Sequence, residues 1–449
     1  METIAKKTFF SNQDLKKIIL PLFLEQLLLM LVGMADVFIV SFVGEAAVSG
    51  VSLVNSFNTI FLNLFTALAS GGAVIISQYI GRNKKKESCI ASSQLLISSI
   101  MFSIITAGLI LFFHKSLLQL MFGKVENDVM EACVIYLKIS AYSYPALAIY
   151  NAGAALYRSF GKTSKTMFIS IIANGINIAG NILGVFILHA GVSGVAWPSL
   201  ISRVFSAVFI TVLCFSKSNP VWYETRWICK INRDIQAKIL KIAIPNGIES
   251  GIFQFVKVGL SSIVALFGTY QIAANGVAQS IWSMSALVCV TMGPVFITVI
   301  GQCMGAKDTQ ASENYFIKLI RLTVLFSIIW NAFILIITPI MLHFYSLEEQ
   351  TKQLIIVLVL IHNIFSATAF PFADPLGKGL RATGDVMFTT VISLFTTIVV
   401  RLLLSIFFGI ILEMGVIGIA IAMCMDWSIR AVIFWIRFKR NKWKEFKLI

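Results

Sequence analysis

Long apolar segments recur along the whole chain, and short polar or basic stretches separate them. A helix needs about 20 mainly apolar residues to cross a bilayer, and twelve segments of the sequence meet that length. The pattern therefore predicts an all-α polytopic membrane protein with twelve transmembrane helices. The predicted spans cover approximately residues 15–42, 50–79, 90–113, 132–156, 166–188, 194–215, 240–267, 272–302, 314–343, 353–377, 386–411 and 415–436.

The composition points the same way. Of the 449 residues, 58% are hydrophobic and only 13% are charged, whereas a soluble protein carries about 25% charged residues. A net charge of +15 would suggest nucleic acid as the partner of a soluble protein, but here the basic residues lie in loops. We therefore expect membrane lipid, and no nucleic acid, as a partner. The seven cysteines are scattered and lack the spacing of a metal site, so we expect neither a disulfide framework nor a zinc site. Apart from the coupling ion, H⁺ or Na⁺, we expect no metal and no cofactor.

The loop charges predict the orientation. If the spans alternate, most basic residues fall on one side of the membrane and most acidic loop residues on the other. Cytoplasmic loops carry the excess of Lys and Arg, so both termini are predicted to be cytoplasmic. An even number of spans agrees with this, because it requires the two termini to lie on the same side. The final segment RFKRNKWKEFKLI is strongly basic. It serves either as an orientation signal or as a site for anionic lipid.

The chain also repeats itself. Pro21 and Glu25 recur as Pro245 and Glu249, QYIG recurs as QCMG, and LHAGVSGVA recurs as LEMGVIGIA, each pair at the same offset along the chain. This constant offset predicts two parallel six-helix lobes of the same orientation, related by an axis along the membrane normal. The predicted parts are an amino-terminal lobe (1–216), a cytoplasmic linker (217–239), a carboxy-terminal lobe (240–436) and a basic cytoplasmic tail (437–449).

Several motifs carry a family resemblance. They are PLFLEQ leading into VGMADVFIVSFVGEAAVSGVSL, then SQYIGRNKKK, LYRSFGKTSKTM, NIAGNILGVFILHAGVSGVAWPSLISR, GLRATGDVMF and MDWSIRAVIFWIRFKRNKW. In their order and spacing they resemble the multidrug and toxic compound extrusion (MATE) family of the MOP flippase superfamily, over nearly the whole chain. The resemblance implies a V-shaped pair of lobes that exports drugs in exchange for H⁺ or Na⁺, and the ending is common in one bacterial branch. We therefore expect a bacterial inner (plasma) membrane location.

Asp36 is the first candidate for cation coupling. An acid at bilayer depth costs several kcal/mol, roughly 2.5–3.5 on the mildest scales, and marks a functional site by default. The distance from Pro21 to Asp36 matches the family's spacing to its first-helix aspartate, so the resemblance implies a coupling role. The alternative is a structural acid hydrogen-bonded to a neighbouring helix.

The fifth span supplies three more candidates. Asn174, Asn177 and Asn181 follow an i, i+3, i+7 spacing and share one helical face. Relatives often carry an acid here, and its absence leaves Asp36 as the clear acid of this lobe, which favours H⁺ over Na⁺. Asn151 on the fourth span could face the same cluster. Interhelical packing is the alternative role for these asparagines.

Charged residues in apolar surroundings are possible substrate or second acid sites. These residues are Glu25, Glu249, Lys257, Asp374 and Arg401, and Asn151 joins them as a polar candidate. Asp426 and Arg430 stand at i, i+4 and are expected to form an ion pair within the last span. Arg203 is expected to lie near a cytoplasmic helix end and to extend towards the interface.

Pro21 and Pro245 lie inside predicted helices, where proline removes a backbone hydrogen bond and favours a kink. Pro21 is predicted either as a hinge in the helix that carries Asp36 or as a static bend.

The resulting hypothesis is a secondary active multidrug efflux antiporter that works by alternating access between two lobes. It would export amphipathic, mainly cationic, organic compounds in exchange for H⁺ or Na⁺, and act as a monomer. The alternative is a lipid-linked oligosaccharide flippase of the same superfamily. An enzyme is disfavoured, because the four histidines form no HExxH or other metal spacing, and no filter-like repeat indicates an ion channel.

Overall fold

The computed structural model describes residues 9–123, 125–343, 345 and 347–449. Helices make up 87% of the chain, and the described residues contain no β-strand. The predicted all-α fold is therefore confirmed.

Contacts divide the chain into two compact units. The amino-terminal unit comprises residues 12–247, and the carboxy-terminal unit comprises residues 248–449 together with the described residues 9–11. The division falls inside a long helix, Arg233–Val264, rather than in the predicted linker. The lobe boundaries drawn from the repeat stay a prediction.

The helices of the amino-terminal unit begin with the first predicted span. They are α1 (Asn12–Ser41), α2 (Glu45–Gly81), α3 (Lys85–Phe122), α4 (Asn127–Tyr142), α5 (Tyr144–Ser159), α6 (Thr163–Ile182), which a π-helical turn (Leu183–Ile187) extends, α7 (Ser193–Phe215) and the short α8 (Thr225–Ile228). Helix α9 (Arg233–Val264) contributes residues to both units.

The carboxy-terminal unit continues the same succession of helices. A 3₁₀ turn (Ala265–Phe267) precedes α10 (Thr269–Ser285), α11 (Leu287–Gly305), α12 (Thr309–His343), α13 (Glu349–Thr368), α14 (Phe370–Ala373), α15 (Pro375–Thr383), α16 (Val386–Phe395), a π-helical turn (Thr396–Arg401), α17 (Leu402–Ile406), a second π-helical turn (Phe407–Ile411), α18 (Gly415–Lys439) and a 3₁₀ turn (Lys442–Glu445).

The predicted spans correspond to these helices. In the described residues, eleven helices are long and apolar enough to cross a membrane, and the bent pair α4–α5 brings the number to twelve. The predicted span 132–156 is this pair, which bends by 45° just before Pro145, whose ring has no backbone donor. The predicted span 353–377 is likewise interrupted by two prolines. Helix α14 begins one residue before Pro371, and α15 begins at Pro375.

The linker 217–239 packs on the amino-terminal unit. Nε2 of Gln94 on α3 donates to the carbonyl oxygens of Trp227 and Lys230, each at 2.8 Å. The linker backbone in turn donates from Asn232 to Oε1 of Gln94 at 2.9 Å. The buried side-chain amide of Gln94 therefore holds the linker backbone at three positions.

The basic tail is an ordered part of the carboxy-terminal unit. Trp443 is 0% exposed, its indole stacks on Phe438 with a centroid distance of 5.8 Å, and its Nε1 donates to the Phe438 carbonyl at 2.9 Å. Nζ of Lys444 pairs with Oε2 of Glu313 at 2.6 Å. The aromatic anchor and the ion pair together hold the tail against α12 and α18.

Glycines bring paired helices close together next to the candidate sites. A Cβ atom on Gly194 of α7 would lie 2.7 Å from the carbonyl carbon of Gly184, and a Cβ on Gly418 of α18 would lie 2.6 Å from the backbone nitrogen of Gly409. A larger side chain would therefore force the backbones apart, as expected where small residues permit close packing of membrane helices.

Candidate functional site

Asp36 joins a polar network that connects α1, α6 and α7. Nδ2 of Asn181 donates to Oδ1 of Asp36 at 2.6 Å and to Oδ1 of Asn177 at 3.2 Å. Nδ2 of Asn177 donates to Oγ of Ser199 on α7 at 3.0 Å. Asp36 is half-buried, whereas Asn177 and Asn181 are buried. We call Asp36, Asn177, Asn181 and Ser199 the Asp36 network.

The Asp36 network retains acceptor capacity. Among the described residues, the buried Oδ1 of Asn181 has no hydrogen-bond partner, although it lies on the same amide whose nitrogen bonds Asp36. A carboxylate and an amide carbonyl are oxygen ligands of the kind that hard cations prefer, and a carboxylate can also take up a proton. The buried Nδ2 of Asn174, one turn before Asn177, is likewise without a partner in the described part of the chain.

Arg203 belongs next to this network, and its predicted position was wrong. It lies near the middle of α7, where Nη1 donates to Oγ of Ser143 at 2.6 Å, and it is close enough to Asp36 to interact electrostatically with it. The assumption that a membrane arginine extends to the interface hid this role. Its distance from both ends of the span was the signal that could have revealed it.

Glu25 is held in a separate structural cluster. It is 1% exposed and pairs with Arg158, whose Nη2 lies 2.9 Å from Oε1. The hydroxyls of Tyr150 and Thr166 donate to its two oxygens at 3.2 and 2.9 Å. These donors satisfy both carboxylate oxygens of Glu25, so the geometry fits a structural ion pair better than a second coupling acid.

The carboxy-terminal unit contains the counterpart of this pair. Glu249, the repeat equivalent of Glu25, forms a salt bridge with Arg381 in the motif GLRATGDVMF. The repeat therefore preserves an acid–arginine pair between the first helix of each lobe and the motif at the end of its fourth span.

The remaining candidates take no part in the hydrogen bonds described above for the Asp36 network. Asp374 pairs with Lys378 on α15 at 2.8 Å, and Lys257 is exposed on α9. Asn151 is half-buried on α5. Pro21 lies inside α1, which runs through it without a break, so the hinge stays a prediction.

Arg401 forms a buried charged triad with the last helix. Its Nη2 lies 2.7 Å from Oδ2 of Asp426, and Nη2 of Arg430 lies 2.9 Å from Oδ1. The expected Asp426–Arg430 pair is therefore confirmed. Arg430 also donates to the hydroxyls of Thr396 and Thr397 at 3.2 and 2.9 Å. Asp426 is 0% exposed, so its salt bridge with Arg401 is buried. The sequence alone did not reveal this contact.

The repeat relates this triad to the amino-terminal network. At the offset that separates Pro21 from Pro245, Arg401 corresponds to Asn177 and Leu260 corresponds to Asp36. The carboxy-terminal unit thus has a buried arginine and a leucine at the positions where the amino-terminal unit has an amide and an acid. Among the described residues, no group of three or more His, Cys, Asp or Glu side chains could hold a metal ion.

Comparison with known proteins identifies the family. The MatE family model matches residues 21–183 and 245–407, two segments that stand at the offset of the repeat. The chain is similar to the uncharacterized transporter YisQ of Bacillus subtilis, with 25% identity over 98% of this chain and 97% of the relative. It is similar to the probable multidrug resistance protein NorM of Thermotoga maritima, with 23% identity over 97% and 93%.

Solved structures share the fold. An outward-facing multidrug resistance MATE family transporter of the MOP superfamily superposes with a TM-score of 0.89 at 20% identity, covering 96% of both chains. A MOP superfamily transporter from Pyrococcus furiosus, described as having a binding pocket of reverse polarity that suggests a different function, gives 0.90 at 19% identity over 97% of both chains. With the family model covering most of its length, this chain belongs to the MatE family, the multidrug and toxic compound extrusion transporters, and it is a transporter rather than an enzyme.

Proposed function

We propose that the protein is a secondary active efflux antiporter that exports amphipathic, mainly cationic, organic compounds in exchange for an inward-moving cation. The observation that carries this proposal is the Asp36 network, in which an acid inside a predicted span lies beside an amide oxygen with no hydrogen-bond partner in the described part of the chain. An acid inside a membrane span is costly and is tolerated where it pairs or serves an ion pathway. Asp36 is therefore the proposed coupling residue, with Asn177 and Asn181 as its partners.

The chemistry of the carboxy-terminal unit favours a single coupling site, located in the amino-terminal unit. Arg401 already supplies a fixed positive charge at the position equivalent to Asn177, and Asp426 neutralises it at 2.7 Å. A mobile cation would meet two arginines there, Arg401 and Arg430, for one carboxylate. Electrostatic repulsion from the second guanidinium disfavours cation entry, so the coupling ion is proposed to use the amino-terminal unit.

A proton is the favoured coupling ion. The network contains one carboxylate, Asp36, and the amides Asn177 and Asn181 add no negative charge. Na⁺ would bind as a full charge with few compensating ligands, whereas a proton converts Asp36 into a neutral acid that still hydrogen-bonds to Asn181. Uptake from outside and release to the cytoplasm would then alternate with drug export.

The substrate class rests on the relatives. The Thermotoga maritima relative is named a probable multidrug resistance protein, and a relative from Staphylococcus haemolyticus, 21% identical over 81% of both chains, is named a multidrug export protein. The flippase alternative has no support among these relatives. Because the Pyrococcus furiosus neighbour has the same fold and is described as having a different function, transport assays must identify the substrates.

Ethidium efflux in everted membrane vesicles tests the proposal. Vesicles that contain the protein should accumulate ethidium when respiration acidifies their lumen, and nigericin, which dissipates the pH gradient, should abolish the uptake. Vesicles without the protein are the control. Uptake that persists with nigericin but needs a Na⁺ gradient would assign Na⁺ as the coupling ion. Absence of energised uptake for a panel of organic cations would contradict the efflux function.

We also propose that the protein lies in the bacterial plasma membrane as a monomer, with both termini and the linker in the cytoplasm. The chain provides a natural probe, because Cys229 in the linker is exposed and the other six cysteines are buried. A membrane-impermeant maleimide should label Cys229 in everted vesicles and not in right-side-out vesicles. Cys229→Ser is the control, and labelling only from the outside would reverse the topology.

A further inference from the structure

An apolar groove of about 990 Å³ runs along the carboxy-terminal unit between α12, the α13–α14 junction and α18. Its walls are largely aliphatic and aromatic, and include Ile328, Phe365, Phe372, Val432 and Trp435. Val432 is 58% exposed, so the groove opens on the surface of the unit. A groove of this kind on a membrane-spanning protein suits a hydrocarbon chain.

The two hydroxyl groups that line the groove, on Thr368 and Ser428, are both engaged in hydrogen bonds. Oγ1 of Thr368 donates to the Ile364 carbonyl at 2.7 Å, and Oγ of Ser428 donates to the Cys424 carbonyl at 2.8 Å. Each hydroxyl is thus satisfied by its own helix and presents its carbon atoms to the groove. A polar ligand would give up its hydrogen bonds to water and find none in the groove, whereas an acyl chain has no hydrogen bonds to give up.

Two cations line the same groove. Arg321 on α12 and Lys439, the last residue of α18, are both exposed. Under the predicted topology these helices cross the membrane in opposite directions, so the start of α12 and the end of α18 lie at the same, cytoplasmic, end. Both cations therefore lie towards that end of the groove, while Ile328 and Ser428 lie towards the other.

These two cations lack an anionic partner in the described part of the chain, unlike two basic residues nearby. Arg437 pairs with Asp385 at 2.7 Å, and Lys444 pairs with Glu313 at 2.6 Å. Nζ of Lys439 lies over the Trp435 ring at 5.1 Å, which places the ammonium beside an aromatic side chain of the type enriched at membrane interfaces. The groove is thus apolar along its length and positively charged near one end.

We infer that this groove is a binding site for an anionic phospholipid, with an acyl chain between α12 and α18 and the headgroup phosphate on Arg321 and Lys439. Arginine and lysine are the side chains that recognise phosphate, and basic groups near the cytoplasmic membrane surface attract anionic lipid. The charge selects the headgroup, and the apolar walls hold the chain. The site shares no residue with the Asp36 network.

Native mass spectrometry of the full-length protein in detergent tests this site. Wild-type protein is titrated with dioleoyl phosphatidylglycerol or dioleoyl phosphatidylcholine at equal concentration, and the fraction that retains one lipid is measured. We expect at least about five-fold greater retention of phosphatidylglycerol, a selectivity of about 1 kcal/mol. Equal retention of the two lipids would overturn the proposal.

Matched variants separate the headgroup from the chain. Arg321→Gln with Lys439→Gln should abolish the preference, whereas Arg321→Lys with Lys439→Arg, which keeps both charges, should preserve it. Val432→Trp should fill the groove and lower retention of both lipids. Lys86→Gln with Lys165→Gln removes two exposed charges from the amino-terminal unit and should change nothing. The assignment would be contradicted if the preference survived the loss of Arg321 and Lys439, or if the control pair of substitutions abolished it equally.

Discussion

In the amino-terminal unit the contact between α6 and α7 is neutral, since Asn177 bonds Ser199. In the carboxy-terminal unit the equivalent contact is charged, since Arg401 binds Asp426. The same repeat therefore supports one polar network whose acid, Asp36, forms no salt bridge among the described residues, and another in which Asp426 forms salt bridges with two arginines. The difference teaches that fold symmetry does not require chemical symmetry, and that coupling can be confined to one unit.

The largest expected effect comes from removing the acid. Asp36→Asn keeps the size and a hydrogen-bonding group but holds no titratable proton, so gradient-driven ethidium efflux should fall by at least about ten-fold, the activity equivalent of about 1.4 kcal/mol. Binding of ethidium to the purified protein should persist. Asp128→Asn, at an exposed acid in the first turn of α4, is the control and should export normally.

The next effect concerns stability in the carboxy-terminal unit. Asp426→Asn leaves the buried Arg401 and the half-buried Arg430 without a carboxylate, and breaking a buried ion pair costs about 3–5 kcal/mol. The midpoint of thermal unfolding in detergent should fall strongly. The matched control replaces each member of the triad by its equivalent in the amino-terminal repeat, which is Asn177, Ser202 or Ser206. The substitutions are Arg401→Asn, Asp426→Ser and Arg430→Ser. This triple variant should be more stable than Asp426→Asn, because it leaves no buried charge unpaired; lower stability would contradict the argument.

A smaller difference should separate the two repeated acid–arginine pairs. Glu25 accepts from Arg158, Tyr150 and Thr166 and its side chain is 1% exposed, whereas the side chain of Glu249 is 19% exposed. Hydrogen bonds to charged groups contribute about 1.5–3 kcal/mol. Glu25→Gln should therefore lower the unfolding midpoint more than Glu249→Gln does. Equal losses would show that burial does not distinguish the pairs.

Sequence reasoning predicted the helices well, because bilayer thickness imposes a long apolar segment at each span. It also named Asp36, Asn177 and Asn181 as candidates, and the structure connects Asp36 to Asn181 and Asn181 to Asn177 by hydrogen bonds. It could not reveal that Arg401 meets Asp426, because that contact joins two different helices, and the apolar pattern does not fix how each helix is rotated towards the other. Arg203 was misplaced because it was assumed to extend to the interface, whereas it lies near the middle of α7 and donates to Ser143.

The most direct test of the central claim compares the two units in one transport assay. Purified protein in proteoliposomes is driven by an imposed pH gradient or an imposed Na⁺ gradient, and ethidium transport is recorded for wild type, Asp36→Asn and the Arg401→Asn, Asp426→Ser, Arg430→Ser variant. Our account predicts that gradient-driven transport by Asp36→Asn falls by at least about ten-fold, and that the triple variant transports with the ion dependence of wild type. Gradient-driven transport by Asp36→Asn at the wild-type rate, or loss of ion dependence in a correctly folded triple variant, would contradict it.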